Sequence, residues 1–199
     1  MNFYFDLDDT ISDTEKELVT IAYEFHKHHL HRKLQLNKTK KTKSHLYFAE
    51  MLSWSTTDLE RFYNEVYPSY LETLKPKENA ANVIRRLHEN GHRITILSAR
   101  VEKDESVFGI TEKWLYSNHI PFDKLAINVI EKDNYLSNRC GYFIDDSYDF
   151  CSKTSNNNNI VVIQFVNEHC QICSDQKVRT VKNWDELEKL FKNDGVLCK

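Results

Sequence analysis

The sequence predicts an α/β protein: a parallel sheet covered by helices on both faces, interrupted once, after its first strand, by a block of helices. Three observations lead there. From Pro76 onward, short apolar runs rich in β-branched or aromatic residues alternate with helical stretches, the order that builds a parallel sheet. Residues 11–75 carry helical periodicity and no convincing strand. Polar residues gather where the apolar runs stop, as in sheets whose sites lie beyond the carboxyl ends of the strands.

Each element follows from local pattern. Residues 2–5 form an aromatic-rich apolar run that ends abruptly in acids, a buried strand with carboxylates at its carboxyl end. Ser12 with Glu15 reads as a capping box opening a helix through Leu18, Ile21, Ala22 and Phe25 to about His31. Residues 44–52 read as helical, and Thr57 with Glu60 as a second capping box before Leu59, Phe62, Tyr63 and Val66. Pro68 and Pro76 punctuate the exit from this block. Ala80, Val83, Ile84 and Leu87 make a helix stopped at Asn90-Gly91. Residues 93–97 are a strand ending at Ser98. A helix over 111–118, a strand over 125–130 and a short helix over 132–138 come next. Residues 142–144 give a strand ending in Asp145-Asp146, residues 160–165 another, and residues 184–191 a closing amphipathic helix.

Composition bounds the function. The 199 residues suffice for a real core, and 11 Phe, 10 Tyr and 3 Trp exclude a disordered chain. Only 4 glycines leave no glycine-rich phosphate cradle, so a phosphate site here must use other residues. The formal charge of −3 argues against a whole-surface nucleic-acid binder, yet it hides an asymmetry. Residues 26–43 hold Lys27, Arg32, Lys33, Lys38, Lys40, Lys41 and Lys43 with no acid, and also His26, His28, His29 and His31. The amino terminus lacks a secretory pattern, no stretch reaches the length of a membrane span, and five scattered cysteines form no disulfide framework. The expectation is a cytoplasmic chain with no membrane partner. No sequence feature sets an oligomeric state.

The strand ends carry the chemistry. Asp6, Asp8, Asp145 and Asp146 make a dense carboxylate group, and close like charges raise one another's pKa unless a cation neutralises them. A hard cation with oxygen ligands, Mg²⁺ above all, resolves that and also holds substrate phosphate. Ser98 offers a hydroxyl and Lys132 a cation for a transferring phosphoryl group. A turn must begin within 6–8, since Asp6 and Asp8 would point to opposite sides of an extended strand.

These residues resemble a known superfamily. Asp6-x-Asp8-x-Thr10 after an apolar strand, then Ser98, Lys132 and Asp145-Asp146, are similar in kind and order to the four motifs of the haloacid-dehalogenase superfamily. Residues 94–100, 111–115, 119–125 and 143–146 resemble its 5′-nucleotidase/deoxyribonucleotidase-like branch. The resemblance implies a Rossmannoid core over 1–10 and 76–199 with a small helical cap over 11–75. It implies a Mg²⁺-dependent phosphomonoester hydrolase in which Asp6 attacks phosphorus and Asp8 acts as general acid and base. Asp6, the Asp8 carbonyl, Asp145 and Asp146 would hold Mg²⁺, Asp146 more directly. Ser98 and Lys132 would bind the phosphoryl group, Arg100 would add a substrate contact and Thr10 would buttress the turn. The expected substrate is a small phosphorylated molecule, a nucleoside monophosphate first.

Plainer readings stand beside these. Lys124 and, more distantly, Lys113 compete with Lys132, and Asp149 reads as a metal-shell acid or a helix start. The basic 26–43 segment attracts a phosphorylated substrate by its field, contacts a polynucleotide end, or is a solvated helix end. Tyr47, Phe48 and Trp54 stack a base or, by the heavier weight, fill the cap core. His169, Cys170 and Cys173 lack the second half of a zinc knuckle and read as a plain loop. A different class of function, a phospho-ligand binding module without turnover, would be signalled by loss of Asp6 or Asp8, and both are present.

Overall fold

The computed structural model describes residues 1–33, 47–100, 106–167 and 170–197. Six strands form one sheet: β1 (Asn2–Phe5), β2 (Arg93–Leu97), β3 (Lys124–Ala126), β4 (Gly141–Asp145), β5 (Ile160–Phe165) and β6 (Arg179–Val181). Their order is β3-β2-β1-β4-β5-β6 and every pairing is parallel. The predicted class therefore holds. Strand β1 is central because its residues are apolar on both sides, with Phe3 and Phe5 fully buried and Tyr4 nearly so. The chain order reverses on either side of β1, so the carboxyl ends of β1, β2 and β4 open on one crevice.

Among the described residues, four helices lie between β1 and the next core helix: α1 (Thr14–His28), α2 (Tyr47–Met51), α3 (Thr56–Glu65) and α4 (Tyr67–Leu71). The ends of this block lie side by side. Asp13 N donates to Lys75 O at 2.8 Å, and Lys77 N donates to Ile11 O at 2.7 Å. Its interior packs Phe25, Phe48, Trp54 and Phe62 ring on ring, and Leu18, Tyr70 and Leu71 join the cluster that buries Phe3 and Phe5. Trp54 Nε1 donates to His26 Nδ1 at 2.9 Å. Phe48 and Trp54 are thus core side chains rather than a base platform; the Tyr47 side chain lies outside the described residues.

The remaining helices are α5 (Ala80–Glu89), α6 (Ser106–Ser117), α7 (Lys132–Leu136), α8 (Tyr148–Thr154) and α9 (Trp184–Asn193). Helix α5 ends as expected, with Gly91 at φ 75° supplying the left-handed residue after the cap. Several boundaries differ from the sequence reading. Ser12 and Glu15 form no capping box: Ser12 Oγ lies against Leu7 O and Thr14 Oγ1, while Glu15 N donates to Asp9 Oδ1 at 2.6 Å. The second box is two residues earlier, Ser55 with Asp58. Pro68 sits in the first turn of α4, where its missing N–H costs nothing, rather than ending a helix. Strand β3 stops at Ala126 because β2, its partner, stops at Leu97. Helix α6 starts before Thr111, α8 was signalled only by Asp149 as a possible helix start, and β6 was not read from the sequence.

Candidate active site

Strand β1 delivers the first acid. Asp6 N donates to Ile144 O at 2.8 Å, which continues the ladder one residue beyond the strand and aims the carboxylate at the end of β4. The chain then turns through Asp9 at φ 59°, a left-handed position that Asp tolerates better than most residues. Ile11 N and Ser12 N both return to Leu7 O, so the turn is tight. Thr10 is fully buried; its carbonyl accepts from Trp184 Nε1 at 2.9 Å, while its hydroxyl has no partner among the described residues.

Lysine 132, at the start of α7, is the organising cation. Its Nζ donates to Asp6 Oδ1 and, at 2.7 Å, to Asp145 Oδ2, and its side chain is 1% exposed. Lys124 instead lies over the Tyr135 ring, and Lys113 is an exposed lysine near Glu72. Asp145 is held from its other oxygen by Ser147 N at 2.8 Å. Asp146 follows; Asn167 Nδ2 and Cys170 Sγ donate to its Oδ2, at 3.4 and 3.5 Å. Asp149 is exposed in the first turn of α8 and acts as a helix-start residue.

One ligand atom each from Asp6, Asp145 and Asp146 lies within 4.8 Å of the others. Burial pushes the Asp6 carboxyl up; the Lys132 charge opposes this, the Asp145 and Asp8 charges add to it, and the outcome is about 7. Burial, then the charges of Asp6, Asp9 and Asp145, hold Asp146 well above the usual carboxylate range. Three carboxylates face a single ammonium, a deficit of two positive charges. The donors are all hard oxygens, so the set fits a divalent cation such as Mg²⁺.

Asp8 is treated differently. Burial would raise its carboxyl, but the Arg100 guanidinium, with hydrogen bonds from Arg100 and Thr14, outweighs burial and holds it low. Arg100 Nε donates to Asp8 Oδ2 at 2.8 Å and Nη2 to Asp8 Oδ1 at 2.7 Å. Thr14 Oγ1 donates to Asp8 Oδ1 at 2.7 Å. Arg100, expected to contact the substrate, turns its fork to Asp8, and its side chain is 1% exposed. Ser98, fully buried, follows β2; its Oγ accepts from Arg100 N at 3.1 Å, which leaves its proton to donate. The structure thus brings Asp6, Asp145, Asp146 and Lys132 together, with Asp8, Arg100 and Ser98 beside them.

Sequence reasoning missed Thr14, Tyr67, Thr111, Asn167 and the placement of Cys170. Asn167 had a readable signal, since it follows an apolar strand just as Asp6 and Ser98 do. The others reach the site only through tertiary packing. His169 lies outside the described residues, Cys173 is buried, and among the described residues the acid trio is the one group of metal-ligand type. In the basic segment, residues 34–43 lie outside the described set. In its described part Arg32 pairs with Asp58, His28 with Glu24 and His29 with Glu65. No helix among the described residues is long and apolar enough to cross a membrane.

Comparison with known proteins places this geometry. The chain is similar in fold to a haloacid dehalogenase family hydrolase from Deinococcus radiodurans solved with phosphate and sodium. That pair has 13% identity and a TM-score of 0.64 over 99% of this chain and 97% of that one. A predicted phosphatase from Clostridium acetobutylicum matches at 16% identity and TM-score 0.65, covering 96% and 98%. A predicted phosphoglycolate phosphatase from Haemophilus somnus matches at 12% and 0.64, covering 94% and 96%. The expected leaning toward the nucleotidase branch is thus not matched by these neighbours. No curated protein matches the chain in sequence. The haloacid dehalogenase-like hydrolase family matches residues 3–165, and with its strand-end acids and lysine the chain belongs to that family.

Proposed function

We propose that the chain is a Mg²⁺-dependent phosphomonoester hydrolase acting through an aspartyl-phosphate, with a nucleoside monophosphate as substrate. The observation that carries the reading is Lys132 held between Asp6 and Asp145, with Asp146 alongside. An Asp6 oxygen attacks phosphorus as the bond to the leaving oxygen breaks, and Asp8, carrying a proton taken up against the Arg100 charge that favours its ionised form, gives that proton to the leaving oxygen. A water then attacks the phosphoryl group and Asp8 takes its proton, releasing phosphate and restoring Asp6. Lys132 keeps Asp6 ionised and faces the phosphoryl oxygens, and the Ser98 hydroxyl donates to one of them. Asp6, the Asp8 carbonyl, Asp145 and Asp146 would hold Mg²⁺, which when bound neutralises charge on the transferring group.

We read helices α1–α4 as a cap over 11–75 that closes the site and selects the substrate. Support for an aromatic leaving group is the edge-on Tyr63 and Tyr67 pair of the helical block, with ring centroids 4.8 Å apart. The test is turnover of p-nitrophenyl phosphate by wild type and Asp6→Asn with and without Mg²⁺, then a panel of nucleoside monophosphates, phosphoglycolate and a phosphorylated oligonucleotide. Metal-dependent turnover lost in Asp6→Asn is expected, with the nucleoside monophosphates preferred. Equal background in both proteins would favour a binding module, and a salt-sensitive preference for the oligonucleotide would favour a polynucleotide end as substrate.

A further inference from the structure

We propose that Arg100 is a positioning residue that aims Asp8 at the leaving oxygen, with Asp8 held in place from both the core and the helical block. This rests on the phosphatase reading above. Arg100 gives Asp8 a side-on fork, with Nε on one carboxylate oxygen and Nη2 on the other, while Thr14 Oγ1 adds a third bond. A carboxylate so held keeps one rotamer, and the planar fork sets its plane as well as its place.

The guanidinium has little freedom of its own. Nη1 donates to Thr111 Oγ1 at 3.0 Å on α6. Tyr70 Oη donates to Thr14 O at 2.9 Å, so α4 also fixes the residue that supplies the third bond. The path therefore runs from α4 and α6 through Arg100 and Thr14 to Asp8. Because Arg100 has Nε, Nη1 and Nη2 each in a hydrogen bond and is almost wholly buried, it acts through Asp8 rather than by touching the substrate.

A leaving-group comparison separates this role from others. p-Nitrophenolate departs without a proton, whereas p-nitrobenzyl alkoxide needs one, and the two esters are close in shape. For Arg100→Gln, kcat/KM on p-nitrobenzyl phosphate is expected to fall about 100-fold and on p-nitrophenyl phosphate less than about 10-fold. Arg100→Lys keeps the charge without the fork and is expected to fall between wild type and Gln on the benzyl ester. Thr111→Val, which spares the guanidinium, is expected to lose about 3- to 10-fold on the benzyl ester alone. It keeps the test informative if Arg100→Gln does not fold. Equal losses on both esters, whether in KM as for a substrate contact or in kcat as for general disruption, would overturn the proposal. If wild type shows no metal-dependent turnover of either ester, the phosphatase reading itself fails.

Discussion

Replacing Lys132 by Met removes one ammonium from a buried site and nearly preserves the side-chain volume. In the native arrangement that ammonium answers Asp6 and Asp145 and lies 4.7 Å over the Phe150 ring. Without it, three carboxylates with ligand atoms within 4.8 Å of one another have no cation among them. Breaking a buried pair on one side costs about 3–5 kcal/mol. At about 2–4 °C per kcal/mol for a chain of this size, the midpoint should fall by about 6–20 °C. The pH dependence has a definite sign. The folded Asp6 carboxyl is raised from 3.8 to about 7 by burial, with Lys132 already working to lower it. Removing Lys132 raises it further. A raised carboxyl contributes stability that is present below the unfolded value and lost as pH rises through the folded one. The deficit of the variant should therefore be large at pH 8 and small near pH 4, where folded Asp6 is protonated in wild type and variant alike. Thermal unfolding in chelator at both pH values, repeated with Mg²⁺, measures this. Mg²⁺ should recover part of the loss at pH 8, because it supplies the missing positive charge. Equal destabilisation at both pH values would refute the electrostatic argument and leave only packing.

Three further outcomes are expected. Gly141→Ala should destabilise by more than about 3 kcal/mol in urea unfolding. Gly141 has φ 135°, and an added Cβ would lie 2.1 Å from Asn2 O in the central strand. Ser55→Ala removes the reciprocal cap of α3, in which Asp58 N donates to Ser55 Oγ and Ser55 N to Asp58, and should cost about 1 kcal/mol in the same assay. Trp54→Phe keeps the ring packing but leaves His26 Nδ1 without its donor, and should cost about 1–3 kcal/mol, with an unchanged fold by circular dichroism.

The residues of the acid cluster were legible because a parallel sheet puts the ends of its strands together. An apolar run followed by acids, at 2–8 and again at 142–146, needs no long-range information to be read as strand and site. Lys132 was legible by spacing to Asp145, and the choice over Lys124 is settled only by which side chain turns inward. Other elements left too little local signal. Strand β6 is three residues with one fully buried side chain, Val181, and is a strand because β5 offers it an open edge. The opening of α1 was misread because its cap lies outside the local window: Asp9, six residues upstream, takes the Glu15 N–H that a capping box would have left to Ser12 and Glu15.

Arg100 shows a different kind of gap. Its residue type and its place after a strand say that a cation stands at the site, and both are local. Which anion it answers is decided by the fold, across 92 positions of chain. A free Arg100 would make the crevice receptive to a second negative charge on the substrate, such as a carboxylate beside the phosphate. With Nε and Nη2 on Asp8 and Nη1 on Thr111, a buried Arg100 offers little of that attraction. On the proposed cap reading, substrate choice passes to the helical block, which carries the edge-on Tyr63 and Tyr67 rings with centroids 4.8 Å apart. That block reaches Asp8 through Thr14, whose hydroxyl donates to Asp8 and whose carbonyl accepts from Tyr70, so a change in one should alter the other.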